Sequence, residues 1–372
     1  MPEQLESSQR TLKERTETFV AARLEPLSSQ HADDDESLRR EVIAASREAG
    51  LFGIAQPRRH GGLEAGIVEQ TVVREALAAS GLPARRHVLG PGPGFLAAAT
   101  GTLAERYLEP LLRGEIRTAF AFTDRREGPP TEARRNGGHW TISGTKAYVT
   151  GGADADCFGV VARLADAEGS LFAVVDTDAP GLTVSAPFRS LDGSHHVSLT
   201  FADVRVDDDH LLGAPGEGLP RAMRQIGDTR LAMSAEACGL MQFVLAQLEQ
   251  HLLAPHRSGS ALADREGVRL RFADARIAAY AARSMLYRSA RLAATGENVV
   301  NEVIACKVFA SETLGGIVDT AIQLEGGHAL VEGHPLERLY REVRVLRLAE
   351  GANDLLRLNL ARGRFELGKG RI

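Results

Sequence analysis

One carboxylate, Glu350, stands out as a residue that could do chemistry. It lies in the segment 348–353, LAEGAN, where Gly351 interrupts a run of residues that otherwise favours a helix. A carboxylate beside a helix break can project into a cavity, and burial there raises its pKa toward the range of a general base. A solvated loop residue or a helix cap has the same local pattern. The segment alone therefore leaves both interpretations open.

Other reactive patterns are missing from the sequence. His195 and His196 are adjacent, and His328 and His334 are six residues apart. Neither pair has the His-x-x-x-His spacing of a helical metal site, and no Gly-x-Ser-x-Gly motif indicates a serine hydrolase. The segment 90–94, GPGPG, is a poor phosphate loop, because its prolines lack the backbone N–H groups that bind phosphate. We interpret it as a break between helices.

The composition excludes several classes of protein. The 372 residues are 44% hydrophobic and 25% charged, enough for one large core or a few smaller ones. The net charge of −5 provides no basic footprint for nucleic acid. Cys157, Cys238 and Cys306 are far apart, which predicts reduced core thiols. Residues 1–19 lack the apolar core of a signal peptide, and no apolar run approaches the roughly 18 residues of a membrane span, so we expect a soluble, cytoplasmic protein.

The hydrophobic pattern divides the chain into three parts. Residues 1–116 show helical spacing of apolar side chains. Residues 117–228 favour short apolar runs broken by Gly, Asp and Pro, which predict strands. Residues 229–372 return to long helical periods with short breaks, as in a helical bundle.

Particular segments carry this prediction. The strongest helical stripe consists of Met241, Val244, Leu245, Leu248 and Leu252. The predicted strands are 139–151, 158–164, 171–175 and 197–202, the last with alternating apolar residues that indicate one buried face. The polar segment 125–138, which contains two prolines, predicts a mobile surface loop.

Five segments in order, spread over about 300 residues, resemble the acyl-CoA dehydrogenase family. They are 50–62, GLFGIAQPRRHGG; 121–124, AFTD; 144–152, GTKAYVTGG; the strand and turn of 197–218; and the block 323–351, which contains a Gly-Gly pair and Glu350-Gly351. Each segment is moderately specific, and their common order makes the resemblance strong.

The resemblance implies an α+β fold with an N-terminal helical domain (1–116), a central β domain (117–228) and a C-terminal four-helix bundle (229–372). It also implies FAD, which this family binds between the β domain and the bundle. A Gly-x-Gly-x-x-Gly dinucleotide motif is therefore not expected.

Matching motifs also imply roles for individual residues. Thr123 and Thr150 would bond the isoalloxazine rim, and Tyr148 would pack against the ring in place of the usual tryptophan. Arg257, where the family has glutamine, could pair with the pyrophosphate. A final group matches the segment that reaches the FAD of a neighbouring subunit, which implies a homo-oligomer, either a dimer or a tetramer: Gln323, Gly326 and Gly327.

Glu350 matches the catalytic glutamate of the family, which removes the α-proton of an acyl thioester while the flavin accepts a hydride. Some relatives place the base just before the arginine that matches Arg230, but Thr229 stands there and cannot serve. Arg230 is expected to line the substrate pocket with Gly351, although an ordinary buried ion pair would explain it equally well.

Departures from the family pattern bear on the substrate. Ala349 and Ala352 replace a tyrosine and a threonine around the base, and 128–130, GPP, replaces a hydroxyl-bearing segment. The chain looks most like the acyl-ACP dehydrogenases of methoxymalonyl-type polyketide extender units, whose acyl group is small and oxygenated. The alternatives are a short-chain acyl-CoA dehydrogenase, a flavin oxidase or monooxygenase, and a scaffold without flavin. The electron acceptor would be an electron-transfer flavoprotein or O2.

Overall fold

The protein is described by a computed structural model that covers residues 4–31, 34–257 and 259–371. Contacts between Cα atoms divide the chain into two compact units. The first unit contains Met1–Ala55, Leu63–Gly90 and Gly227–Ile372, and the second contains Gln56–Gly62 and Pro91–Ile226. The N-terminal and C-terminal helices thus share one unit. The three domain boundaries inferred from the sequence remain a prediction.

The helices are joined by short 3-10 and π-helical turns. Over the described residues they are α1 Ser7–Phe19, α2 Glu25–Gln30, α3 Asp35–Glu48, α4 Ile67–Ala78, α5 Glu109–Arg113, α6 Gly218–Leu253, α7 Glu266–Ala294, α8 Val300–Glu325, α9 Pro335–Val345 and α10 Asn353–Phe365. The strands are β1 Thr118–Ala121, β2 Glu132–Asn136, β3 His139–Thr150, β4 Cys157–Leu164, β5 Ser170–Asp176, β6 Leu182–Val184, β7 Phe188–Arg189 and β8 His195–Val206. This is the predicted order of helices, sheet and helices.

In the first unit, the apolar face of α4 joins the core formed by α6, α7, α8 and α9. The predicted stripe on α6 is confirmed, because Met241, Val244, Leu248 and Leu252 are buried there and Leu245 packs against them. A separate core beneath α1 and α3 contains Leu24 and Val42. At the ends of α3 and α4, Gly50 and Gly81 take left-handed conformations, at φ 65° and 68°. Glycine adopts this conformation without steric cost and so ends both helices.

Helix α6 is long and apolar enough to cross a membrane by length and composition, a property that the apolar runs in the sequence did not indicate. However, 56% of its most apolar window is buried inside the protein. The core helix of a globular protein has the same properties. The hydropathy of α6 is therefore explained by packing against its neighbours.

The second unit is built on an eight-stranded mixed sheet with the path β1-β4-β2-β3-β8-β6, to which β5 and β7 add at β4 and β8. Strand β4 is buried on both faces. Phe158 and Val160 enter one core, while Cys157 and Val161 enter a second core with residues of α5. On β8, the predicted alternation is confirmed, because Val197, Leu199 and Phe201 are buried.

The segment 125–138 is not a loop throughout, which corrects the sequence interpretation. Residues Glu132–Asn136 form β2, which pairs with β3 on one side and with β4 on the other. Ala133 is buried in the sheet, whereas Arg134 and Arg135 are exposed and pair with Asp166 and Asp208. Partner strands from distant parts of the chain thus override a polar local sequence.

Candidate active site

Glu350 lies in the break between α9 and α10, in the first unit. Its backbone is left-handed, with φ 54°, and that of Gly351 has φ 100°. Such a conformation is costly for a residue with a side chain, and it persists only where surrounding contacts enforce it. Two consecutive residues with positive φ therefore indicate a tightly held turn at this point.

Two buried cations from different helices hold this turn by its carbonyl groups. Arg230 on α6 donates from Nε and Nη2 to the carbonyl oxygen of Glu350, at 2.9 and 2.8 Å. Lys307 on α8 donates from Nζ to the carbonyl oxygen of Gly351, at 2.9 Å, and to Oδ1 of Asn353, at 2.8 Å. Both cations donate to main-chain carbonyls of the turn rather than to the Glu350 carboxylate.

A further layer of polar groups fixes Asn353. Its Nδ2 donates to Oγ of Ser311, at 3.0 Å, and to Oε1 of Glu312, at 2.9 Å. Arg347 and Arg357 flank the Glu312 carboxylate, with contacts of 3.2 and 3.3 Å. The turn is thus anchored in a connected network that links Lys307, Asn353, Ser311 and Glu312.

The electrostatics of the turn suit a general base. Burial raises the pKa of Glu350, while the positive charges of Arg230 and Lys307 oppose that rise. Burial also lowers the pKa of Lys307 to about 8, helped by repulsion from Arg230. Among the residues that the structure describes, none donates a hydrogen bond to the Glu350 carboxylate. A carboxylate with a raised pKa and free oxygens can accept a proton from a bound substrate.

The structure gives Arg230 a role that neither sequence interpretation included, and its place in the substrate pocket remains a prediction. It is 5% exposed, and its hydrogen bonds go to a main-chain carbonyl rather than to a carboxylate. Arg230 is therefore an anchor of the turn that carries Glu350.

A second group of predicted residues lies in the second unit, on and beside β3. The backbone of Tyr148 is left-handed, with φ 55°, at an irregularity in the pairing of β3 with β8. Its ring is 68% exposed and meets the rings of Phe188 and His196 edge-on, at 5.7 and 6.4 Å between centroids. Oγ1 of the exposed Thr150 lies 3.1 Å from Nδ1 of His196. The bulge thus presents an aromatic ring and a hydroxyl group to the outside of the sheet.

An ion pair between the buried Lys146 and Asp124 holds Thr123 next to this group. Lys146 on β3 is 2% exposed and donates to the carbonyl oxygen of Phe122, at 2.9 Å, and to Oδ1 of Asp124, at 2.7 Å. The carbonyl oxygen of Thr123 accepts from the amide of Ala147, at 2.9 Å. The exposed Thr123 therefore lies beside β3, opposite Ala147, the residue before Tyr148.

These groups fit an isoalloxazine ring. An exposed aromatic ring offers a packing surface to a planar heteroaromatic system, and two exposed hydroxyls offer hydrogen bonds to its nitrogen and oxygen atoms. Thr123, Tyr148 and Thr150 are the residues of this unit that would hold it. The bound flavin would supply the acceptor for a hydride.

The other predicted cofactor-binding residues lie in the first unit and are exposed. Arg257 is exposed, and the adjoining Ser258 lies outside the described residues. Gln323 is exposed near the end of α8, which stops at Gly326 with φ 86° before an exposed Gly327. Their proposed contact with a neighbouring subunit remains a prediction.

Sequence reasoning missed Lys307, Asn353 and His196. A faint signal existed for Lys307, because it is a single charge within the apolar run VIACKVFA, and lysine is rarely buried without a partner. His196 was considered only as a metal ligand, whereas its ring bridges Thr150 and Oγ of Ser190, 2.7 Å from Nε2.

Comparisons with known proteins agree with this architecture. Three family models match in succession: acyl-CoA dehydrogenase N-terminal domain at 6–115, middle domain at 121–204 and C-terminal domain at 216–365. A relative, cyclohexane-1-carbonyl-CoA dehydrogenase of Geobacter metallireducens, is 30% identical, over 93% of this chain and 95% of its own.

Two solved structures illustrate the likeness of fold. Acyl-CoA dehydrogenase complexed with FAD from Bacillus anthracis is 25% identical and superposes with a TM-score of 0.83. The superposition covers 99% of this chain and 69% of that one. The prolyl acyl carrier protein oxidase AnaB is 22% identical, with a TM-score of 0.83 over 96% of this chain and 99% of that one. At that identity, the second likeness concerns the fold alone.

Proposed function

We propose, because this chain belongs to the acyl-CoA dehydrogenase family and is thus an FAD-dependent acyl-thioester dehydrogenase, that Glu350 is its catalytic base. One observation carries the proposal. Burial raises the pKa of the Glu350 carboxylate, to which no residue in the described part of the chain donates a hydrogen bond, while its own carbonyl is bound by Arg230. A residue with only a structural role would have its carboxylate, rather than its backbone, engaged in such contacts.

In the proposed reaction, Glu350 removes the proton from the α-carbon of an acyl thioester. The thioester carbonyl acidifies that proton, and donors to its oxygen stabilise the enolate-like charge. A bound flavin would supply the acceptor for the hydride that the β-carbon loses as the carbon–carbon double bond forms. Thr123, Tyr148 and Thr150 would hold its ring. Because its pKa is raised, Glu350 is a better proton acceptor than an ordinary carboxylate.

For the substrate, we propose a small oxygenated acyl group on an acyl carrier protein, as in polyketide extender-unit biosynthesis. The small side chains of Ala349 and Ala352 beside Glu350 support a changed acyl or carrier group. A protein of the same fold, AnaB, is a prolyl acyl carrier protein oxidase, so this fold accommodates a substrate on such a carrier. The second candidate is a short-chain acyl-CoA. Its CoA carrier is favoured by the relative named cyclohexane-1-carbonyl-CoA dehydrogenase.

The remaining partners are also proposals. An electron-transfer flavoprotein or O2 would reoxidise the flavin, and O2 would make the enzyme an oxidase. Three buried free cysteines suit a reducing compartment such as the cytoplasm.

The test compares one oxygenated acyl group on two carriers, and it includes a short-chain acyl-CoA for the second candidate. The FAD-loaded protein is mixed without oxygen with 3-hydroxypropanoyl-ACP, 3-hydroxypropanoyl-CoA and butyryl-CoA, and bleaching of the flavin band is followed. Faster bleaching by the ACP thioester supports the proposed carrier, whereas faster bleaching by either CoA thioester favours the second candidate. Rapid recolouring in air identifies an oxidase.

Glu350→Gln is the matched variant for the base. It should retain FAD, because the amide preserves the shape of the side chain. Its flavin reduction should slow by about 10²–10⁴-fold, the usual contribution of a general base. Reduction at the parental rate would show that Glu350 is not the base.

A further inference from the structure

Lys307 is an unusual buried charge. It is 1% exposed in the middle of α8, where its ammonium group is removed from water. Lysine is almost never fully buried without a partner, because desolvating its charge is expensive. Both of its hydrogen bonds go to the segment after Glu350, to the carbonyl oxygen of Gly351 and to Oδ1 of Asn353. The buried ammonium group of Lys307 is therefore stabilised by its contacts with that turn, and in return it fixes the turn.

We propose that Lys307 is a positioning residue for Glu350. Its ammonium group fixes the Gly351 carbonyl and the Asn353 side chain, so that Glu350 keeps its left-handed backbone and its carboxylate stays free of hydrogen bonds. Its positive charge also adjusts how readily that carboxylate is ionised. This inference rests on the proposed role of Glu350 as the base.

Lys307 and Arg230 bind different carbonyl groups of the turn. Arg230 holds the carbonyl of Glu350 from α6, and Lys307 holds the next carbonyl from α8. Two adjacent peptide groups are thus fixed from two helices, which prevents the turn from relaxing out of the positive-φ region. Without Lys307, the buried oxygens of Gly351 and Asn353 would lose their donor.

The charged groups around the turn determine the direction of the electrostatic effect. Arg230 on α6 and Lys307 on α8 both lower the pKa of Glu350, against the rise caused by burial. Glu312 on α8 carries negative charge, and Arg347 and Arg357 compensate it. Removing the charge of Lys307 alone must therefore raise the pKa of Glu350 further.

This pKa can be measured without substrate through its linkage to stability. The folded protein binds the Glu350 proton more tightly than the unfolded chain does. The resulting stabilisation is complete below the unfolded pKa and is lost as pH rises through the folded pKa. Glu350→Gln lacks this dependence. Its Tm relative to the parent therefore increases with pH. The midpoint of the increase lies between the unfolded and the folded pKa of Glu350, so it moves to higher pH when the folded pKa rises.

The experiment measures that midpoint in FAD-loaded protein for two pairs. The first pair is the parent and Glu350→Gln. The second pair is Lys307→Met and the double variant that carries both substitutions. Methionine keeps the length of the side chain and removes its charge. We expect the midpoint to move to higher pH in the Lys307→Met pair. Ser311→Ala is the control, since it removes a neutral member of the same network, and should leave the midpoint unchanged.

The second readout is the rate of flavin reduction without oxygen in Lys307→Met and in the parent. The substrate is whichever of 3-hydroxypropanoyl-ACP and butyryl-CoA bleaches the flavin of the parent faster. Displacement of the base by about 1 Å can slow the reaction by about 10²-fold, and we expect a loss of this order in Lys307→Met. An unchanged midpoint overturns the proposal even if Tm falls, because Lys307 would then be merely structural. An unchanged reduction rate overturns it as well.

If Lys307→Met does not fold, Asn353→Ala replaces it. This variant keeps the charge and removes one hydrogen-bond acceptor, so reduction should slow while the midpoint stays in place. A parental reduction rate in Asn353→Ala contradicts the positioning role. Failure of the proposed function is a separate result, because it would appear as parental flavin reduction in Glu350→Gln whatever Lys307 does.

Discussion

At the scale of single residues, the turn at Glu350 and Gly351 is where local preference and structure disagree most. Glutamate rarely has a positive φ, whereas glycine accepts it at no steric cost. The glycine therefore lets the chain leave the strained conformation immediately after the carboxylate. A Cβ atom at Gly351 would lie 3.3 Å from Nη2 of Arg230 and 3.3 Å from Cδ2 of Leu356. Both backbone conformation and space thus favour glycine at this position.

Gly351→Ala should therefore destabilise the protein by about 1–3 kcal/mol, the usual cost of a non-glycine residue in a strained conformation. Urea unfolding monitored by circular dichroism measures the change. Gly316→Ala is the matched control, because Gly316 lies in α8 with open space around its Cβ position. That change should stabilise the protein by up to about 1 kcal/mol. Equal effects of the two substitutions would contradict the assigned strain.

At the scale of elements, the pair of Lys146 and Asp124 connects β3 to the segment that carries Thr123. Burial lowers the pKa of Lys146, and the charge of Asp124 opposes that change. The side chain of Asp124 is 38% exposed and that of Lys146 only 3%. The cation is therefore the member of the pair that depends on its partner.

Asp124→Ala should cost about 1–3 kcal/mol, because it leaves a buried cation with only one carbonyl partner. It should also lower the FAD content, measured as flavin absorbance per protein, since Thr123 adjoins Asp124. Asp166→Ala removes an exposed partner of Arg134 and should change stability by less than about 0.5 kcal/mol. A fully stable Asp124→Ala variant with parental FAD content would refute the role of this pair.

How far the sequence predicts these elements depends on the range of the forces involved. The stripe on α6 and the alternation on β8 follow from local periodicity and are confirmed. Their bounds differ from the prediction, because α6 begins at Gly218 rather than near 229 and β8 covers His195–Val206 rather than 197–202. Strand β2 was missed because its residues are polar and its pairing partners, β3 and β4, decide its conformation. At the site, the helix break at Glu350 was readable, but the contact with Lys307 spans 44 residues and follows only from packing.

At the scale of the whole molecule, the exposed apolar side chains of the helices need an explanation. On α7, Leu270, Ile277 and Tyr280 are 60%, 66% and 66% exposed at helical spacing. On α10, Leu358 and Phe365 are 67% and 86% exposed. Large apolar side chains exposed at helical spacing are typical of protein interfaces. We propose that a second copy of this chain covers them, in a dimer or a tetramer.

The proposed assembly predicts a mass in solution that is a multiple of the 39.9 kDa chain. Ile277→Glu places a charge at the centre of the α7 face and should shift the protein toward the monomer, because burying an unpaired carboxylate is costly. Leu191→Glu is the control, since Leu191 is 56% exposed in the turn between β7 and β8. Size-exclusion chromatography with light scattering distinguishes the outcomes. A parent that elutes at 39.9 kDa contradicts the assembly, and an assembly that Ile277→Glu leaves intact places the interface on another face.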